Sequence, residues 1–218
     1  MTSEIVVRET LSKEEKVNSV IHAIGVLFAA IAIPILVFTT ENANFENVVS
    51  VIIYGFCFFM TFTFSTLYHW FIIPKLKSFF KILDRISIYF FIAGTYTPFI
   101  IYYMFDRTGI ILLSLMWTLV VGGILFELYV VKRWLFLSVL FYLVMGWMFI
   151  FVSNHFFRLM SQQVINLILA GVFLYSFGVV FYVWKKWRYH HAVWHFLVLA
   201  ASICHFTAIW ITVTTVTY

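Results

Sequence analysis

The sequence predicts an all-α polytopic membrane protein that crosses the bilayer as a bundle of seven helices. Hydrophobic residues make up 64% of the 218 positions and charged residues only 11%, whereas an ordinary soluble domain is about 25% charged. The apolar residues form continuous runs of roughly the 20 residues that a spanning helix needs, and barrel strands would instead alternate polar and apolar residues. The composition excludes a cytosolic enzyme, a nucleic-acid-binding module and a disordered protein, so no nucleic-acid partner is expected.

Seven apolar runs account for most of the chain. The breaks between them are short and polar, such as Glu41-Asn42-Ala43-Asn44 after the first run and Lys185-Lys186-Trp187-Arg188 before the last. We therefore expect a short N-terminal segment over 1–17 and a single membrane domain over 18–216. The predicted spans cover about residues 18–39, 48–72, 85–104, 108–130, 135–154, 164–184 and 191–215.

The positions of lysine and arginine predict how the bundle is oriented. The N-terminus and the loops after the second, fourth and sixth predicted spans together hold twelve of the fourteen basic residues, and only Arg107 and Arg158 lie on the other side. Short loops rich in Lys and Arg stay in the cytoplasm. We therefore expect a multi-pass plasma-membrane protein with its N-terminus in the cytoplasm and its C-terminus outside.

Histidines from several spans converge at the predicted cytoplasmic side. Ionisable residues inside a membrane are costly and are functional candidates by default. His191 and His195 are four residues apart, so their side chains share one helix face, and His69 lies at a matching depth. Three protein ligands and one open position are the pattern of a catalytic zinc site. We therefore expect zinc at His69, His191 and His195; the alternative is that the histidines bond to one another and to backbone carbonyls.

Two polar residues near these histidines are candidates for catalysis. Asp84 opens the third span from the same side, and its carboxylate suits a general base for a metal-activated water or a hydrogen-bonding partner of a metal ligand. Ser65 precedes His69 by one helical turn and therefore faces the same way. Its hydroxyl is placed to hold the water or to polarise a substrate carbonyl.

A polar face on the first span has two interpretations. Glu15, Asn18 and His22 are spaced so that they lie on one side of a helix. They either line the cavity around the metal, as partners of its ligands, or cap the membrane interface and make one hydrogen bond between helices.

Two further polar residues are expected to be structural. His205 lies about 15 Å deeper than His195 at the rise of an α-helix, which favours a buried hydrogen bond between helices over a place in the metal-site cavity. Glu127 lies near the end of the fourth span. We expect its carboxylate to reach the interface or to pair with Lys132 or Arg133.

Taken together, the motifs resemble the progestin and adipoQ receptor superfamily, and the compact loops resemble its bacterial haemolysin III branch. The resemblance covers nearly the whole chain and implies a seven-helix bundle of the bacterial cell membrane with its N-terminus inside. It also implies zinc held by three histidines with an aspartate and a serine beside it. The motifs that carry it are Glu15-x-x-Asn18-x-x-x-His22, Ser65-x-x-x-His69, Asp84, and His191-x-x-x-His195 with His205.

The resemblance also implies a function. Relatives of the adiponectin-receptor and alkaline-ceramidase type imply hydrolysis of a lipid amide, so we expect a zinc-dependent hydrolase of amide or ester bonds in membrane lipids at the cytoplasmic leaflet. Membrane lipids would then be both environment and substrate. The long N-terminal domain of the receptors has no counterpart, so no soluble hormone is expected. The alternatives are a non-enzymatic regulator or sensor of membrane state with structural zinc, and a pore-forming haemolysin.

Overall fold

Seven helical segments of the described chain are long and apolar enough to cross a membrane, which confirms the predicted fold class. The computed structural model describes the backbone of residues 2–40, 43–130 and 135–215, and the side chains in these ranges from residue 13 onward except residue 135. The orientation of the termini and the domain boundary at residue 17 stay predictions. The helices are α1 (Thr2–Thr39), α2 (Phe45–Trp70), α3 (Pro74–Tyr103), α4 (Arg107–Tyr129), α5 (Leu135–Gly146), α6 (Ser153–Phe156), α7 (Gln162–Val183) and α8 (His190–Thr215).

The first span shows how the helices divide their surface between lipid and protein. Large apolar side chains recur along one side of α1 at every third or fourth position, and Leu27, Ile31 and Phe38 are about two-thirds exposed. This spacing keeps them on one helix face, where lipid tails replace water as the surrounding medium. The opposite face is buried and carries the polar residues of the helix together with small or apolar ones: Asn18, Ser19, His22, Ala29 and Leu36.

The third span is the centre of the bundle, because α3 contacts α2, α4, α5 and α8. Its helix begins at Pro74, well before the predicted start at residue 85. Proline suits the first position of a helix because that position needs no N–H donor. Lys75, Lys77 and Lys81 therefore lie on a helix and not in the loop that the sequence predicts. The prediction missed this first part of α3 because hydropathy locates only the apolar part of a helix.

Basic residues cluster where α1, the end of α2 and the starts of α3 and α8 meet. We call this the basic end and define it by Lys77, Lys81, Arg85 and Arg188. The Nζ atom of Lys77 lies 3.0 Å from Oε1 of Glu15, an ion pair that ties α3 to α1. The basic end is the side that the charge asymmetry predicts to be cytoplasmic.

The fifth span is interrupted, although the sequence predicts one unbroken run. α5 ends at Gly146, and a 3₁₀ helix over Met148–Val152 leads into α6. Where the backbone at membrane depth departs from the α-helix, its N–H and C=O groups need polar partners from the protein. The Tyr96 hydroxyl on α3 supplies them, because it faces the carbonyl oxygens of Met145 and Gly146 at 3.1 and 3.0 Å and accepts the N–H of Phe149 at 3.1 Å. One side chain of the central helix therefore holds the break.

Replacing this tyrosine tests that role. Tyr96→Phe keeps the buried ring but removes the hydroxyl from three backbone groups, so we expect the free energy of unfolding to fall by about 1–3 kcal/mol. Denaturant unfolding in detergent micelles would measure it. Tyr129→Phe is the matched control, since that side chain is 79% exposed. An equal loss of unfolding free energy in both variants would show that the Tyr96 hydroxyl does not stabilise the break in the fifth span.

Candidate metal centre and cavity

Four histidines from three helices gather at the basic end. They are His22 on α1, His69 on α2, and His191 and His195 on α8. The His191 and His195 rings have centroids 4.3 Å apart, and the His69 ring lies 4.8 Å from His195 and 5.5 Å from His191. The His22 ring is 4.2 Å from His195. The three histidines that the sequence predicts as zinc ligands thus lie in one cluster, and His22 is part of it.

Nitrogen positions within the cluster suit a shared metal ion. Among the described residues, one ring nitrogen from each of His22, His69 and His195 lies within 4.8 Å of the other two. His191 is not part of this group. The observed nitrogen group and the predicted ligand set therefore share two histidines and differ in the third.

Glu15 fixes the protonation pattern of the His69 ring. Nδ1 of His69 lies 2.7 Å from Oε2 of Glu15. A carboxylate can only accept a hydrogen bond, so Nδ1 carries the hydrogen and Nε2 of the neutral ring carries a lone pair. This Nε2 is buried and has no hydrogen-bond partner in the described part of the chain. Metal-binding histidines typically donate from one nitrogen to a carboxylate and bind the metal through the other.

A second hydrogen bond joins His22 to His195 and limits what the pair can offer a metal. Nε2 of His22 lies 2.6 Å from Nδ1 of His195, and the other two nitrogens, Nδ1 of His22 and Nε2 of His195, are buried without a partner in the described ranges. Each neutral imidazole has one N–H and one lone pair. The ring that donates this bond keeps a lone pair on its other nitrogen, and the ring that accepts it has an N–H there. While the bond exists, only one of the two histidines can bind a metal.

The length of the bond shows that the two nitrogens that it joins do not bind one metal ion together. Two nitrogens bound to one tetrahedral zinc ion lie about 3.3 Å apart, so the 2.6 Å separation belongs to a hydrogen bond and not to two ligands of one ion. If His195 donates, its Nε2 is a lone pair in the same cluster as Nε2 of His69. The ring of His191 is then the adjacent imidazole for a third ligand, and His22 orients His195 in the way that Glu15 orients His69.

The two predicted catalytic residues lie beside the histidines. The Asp84 carboxylate is next to the Ser65 hydroxyl and faces His69, and both residues line a common cavity. Oδ1 of Asn18 is buried and has no hydrogen-bond partner in the structure as described.

His205 makes the hydrogen bond between helices that its depth favours. Its Nε2 lies 3.1 Å from the carbonyl oxygen of Ile168 on α7. The close approach requires glycine at position 171, because a Cβ there would lie 2.3 Å from the same nitrogen. His205 also lines the cavity. It therefore makes a hydrogen bond between helices and borders the cavity as well.

A cavity of about 380 Å³ runs from the histidines into the bundle between α3, α5, α7 and α8. Its volume is within the range of roughly 300–1,000 Å³ that ligand pockets occupy. Ser65, Asp84 and His191 line it near the basic end, whereas aromatic and aliphatic side chains line it farther in, among them Phe91, Phe149 and Phe156. The cavity thus has one polar end and a mainly apolar interior, with Tyr96 and His205 among its few polar residues, and this lining suits an amphiphile.

A buried carboxylate close to this cavity differs from the sequence prediction. Glu127 does not reach the interface, because it is only 3% exposed; Lys132 and Arg133, its other expected partners, lie outside the described residues. Its Oε1 accepts a hydrogen bond of 2.6 Å from the Ser138 hydroxyl, and its Oε2 lies 3.7 Å from a guanidinium nitrogen of Arg85. The carboxylate joins α3, α4 and α5, a three-helix contact that no local pattern reveals.

Comparison with known proteins supports the resemblance. The model of the family described as "Haemolysin-III related" matches residues 11–206. A protein named "Hemolysin-3" from Bacillus cereus is 37% identical over 94% of both chains, and the "Hemolysin-3 homolog" of Bacillus subtilis (strain 168) is 39% identical over 89% of this chain and 92% of that one. The human "Monocyte to macrophage differentiation factor" is 28% identical over 72% of this chain and 68% of its own length. With its seven spans, the chain is a multi-pass integral protein of the bacterial cell membrane.

The buried carboxylate yields a prediction about stability. Glu127→Gln keeps the side-chain volume but leaves Arg85 facing a neutral amide, so we expect the free energy of unfolding to fall by about 3 kcal/mol, as when one partner of a buried ion pair is removed. Denaturant unfolding would measure the change. The exposed Glu46 supplies the control variant Glu46→Gln. A loss no larger than that of the control would mean that the Arg85 contact does not stabilise the bundle.

Proposed function

Because the chain belongs to the haemolysin-III related family, we propose that it is a zinc-dependent hydrolase of amide or ester bonds in membrane lipids. The observation that carries the proposal is the cavity, whose polar end holds Asp84, Ser65, His22, His191 and His195 and whose interior is mainly apolar. A lipid could place its scissile carbonyl at the polar end and its acyl chain among the aromatic side chains. In the orientation that the charge asymmetry predicts, the reaction occurs in the cytoplasmic leaflet.

The residues of the cluster suit zinc. Imidazole nitrogens are preferred zinc ligands. The rings of His69 and His195, whose centroids are 4.8 Å apart, each have a buried nitrogen without a partner in the described chain. We assign His69, His191 and His195 as ligands, with Glu15 and His22 holding two of these rings in the required tautomer. A zinc ion bound here would polarise the carbonyl and lower the pKa of a water molecule to about 7.

The chain's own residues supply the proton transfers. Asp84 accepts the proton of the attacking water and returns it to the departing nitrogen or oxygen, which is the role of a general base followed by a general acid. Ser65 lies beside that carboxylate and lines the cavity, and its hydroxyl would hydrogen-bond to the water or to the substrate carbonyl. Water adds across the bond, and the products are a fatty acid and an amine or alcohol.

Metal analysis of single variants tests the ligand set. We expect about one zinc ion per chain in the purified wild-type protein after washing with a chelator, and its loss in His69→Ala, His191→Ala and His195→Ala. His22→Ala should keep the site with roughly 10- to 100-fold lower affinity, because it removes only a partner of a ligand. His155→Ala is the control, because that residue pairs with Asp106 and is not part of the histidine cluster.

Two results would contradict the assignment in different ways. If His22→Ala loses zinc and His191→Ala retains it, the ligands are those of the observed nitrogen group, and the hydrogen bond between His22 and His195 breaks on binding. If the wild-type protein binds no zinc, the hydrolase proposal fails, and the histidines are a hydrogen-bonded packing element.

A conservative change at the proposed base tests catalysis separately from metal binding. Asp84→Asn removes the proton acceptor at constant size, so we expect release of fatty acid to fall by about 100- to 10,000-fold while the zinc content stays unchanged. Mass spectrometry of fatty acids released from N-acyl and O-acyl lipids in vesicles would measure it. Asp106→Asn, at a residue that caps α4, is the control. A zinc-loaded wild type that releases no fatty acid would favour a membrane-state regulator with structural zinc.

A further inference from the structure

The interrupted fifth span forms one wall of the cavity. The residues of α5 that line it are Ser138, Val139, Tyr142, Leu143 and Gly146, and their spacing of three and four residues places them on one helix face. Val139, Tyr142 and Leu143 give this stripe large side chains, and Gly146 ends it without one. Trp147 and Phe149 line the cavity directly after the stripe, so Gly146 is a gap between large side chains on this wall.

The space next to the Cα atom of Gly146 is empty. A Cβ built on this residue meets no atom within 4 Å. The turn does not require glycine, because no glycine in the described ranges has a positive φ. A larger residue would thus be allowed by the backbone at this position, and because Gly146 lines the cavity, we expect it to reduce the space there. The absence of a side chain is best explained by the space that it leaves.

The depth of Gly146 matches the length of one acyl chain. Its carbonyl oxygen lies 3.0 Å from the Tyr96 hydroxyl, and Tyr96 follows Asp84 on α3 by about 18 Å at the rise of an α-helix. A hydrocarbon core of about 30 Å contains two leaflets, so one acyl chain extends about 15 Å. A lipid whose head group lies at Asp84 therefore brings the end of its chain to the level of Gly146.

We propose that Gly146 determines the length of the hydrocarbon chain that the cavity accepts. The chain passes the large residues of the α5 stripe and ends in the space that the glycine leaves, beside the aromatic residues Phe149 and Phe156. A side chain at position 146 occupies that space and excludes the last methylenes of a long chain, but it does not touch a short one. The length limit rests on the proposed function in one respect, that the polar end of the lipid lies at Asp84.

Fatty-acid binding measures this length limit without requiring hydrolysis. Decanoate, myristate, palmitate and stearate would each displace cis-parinaric acid from the purified full-length protein, with fluorescence as the readout. Burial of each methylene raises affinity roughly fourfold. If the leucine side chain excludes two methylenes, Gly146→Leu weakens palmitate and stearate by about 15-fold and leaves decanoate unchanged.

A second glycine supplies the matched control. A Cβ added to Gly122 on α4 would also meet open space, but this glycine is exposed on the surface of the bundle and is not part of the cavity lining. Gly122→Leu should therefore leave the affinity for all four acids unchanged. If Gly146→Leu does not fold, Gly146→Ala adds a single carbon and should weaken the longest acids about fourfold.

The outcomes separate this inference from the proposed chemistry. Equal weakening of short and long acids by Gly146→Leu, or the same profile in both leucine variants, would overturn the length limit. So would a wild-type protein that binds none of the acids. A length-dependent loss at Gly146 in a protein that hydrolyses no lipid would support the length limit and leave the hydrolase proposal as the one that fails.

Discussion

The lack of water in the hydrocarbon region is the constraint on which this structure depends. A polar group there must find its partner within the chain, so each buried polar residue fixes the position of another. The Tyr96 hydroxyl holds the broken backbone of the fifth span, and Glu127 joins three helices through Ser138 and Arg85. These contacts position the walls of the cavity that extends from the histidine cluster into the bundle.

The same constraint makes the histidines informative. Glu15 leaves Nε2 of His69 with a lone pair, and the bond between His22 and His195 leaves one further lone pair on that pair of rings. Buried nitrogens that have no partner in the described residues are costly, and a metal ion would satisfy them. Counting hydrogens thus allows only one metal ligand from the pair His22 and His195 while their bond exists, although distances alone group both with His69.

The cavity shows how an irregular helix serves a membrane protein. Helix α5 ends at Gly146, at about the depth that one acyl chain reaches, and this glycine leaves a gap between the large side chains that line the cavity before and after it. Because Tyr96 comes from the central helix α3, which also carries Asp84, the proposed catalytic end and the far end of the cavity are held by one rigid element. Their separation is therefore set by helix geometry.

The sequence by itself determined the seven spans, because long apolar runs are stable only in a bilayer. It also gave the depth at which His69, His191 and His195 lie, because helix rise converts residue number into distance. Depth does not give direction around the helix axis or contacts between helices. Only the tertiary structure therefore shows the hydrogen bond between His22 and His195, the buried contact of Glu127 with Arg85, and the break in the fifth span after Gly146. Each depends on pairing between distant segments, for which local hydropathy contains no signal.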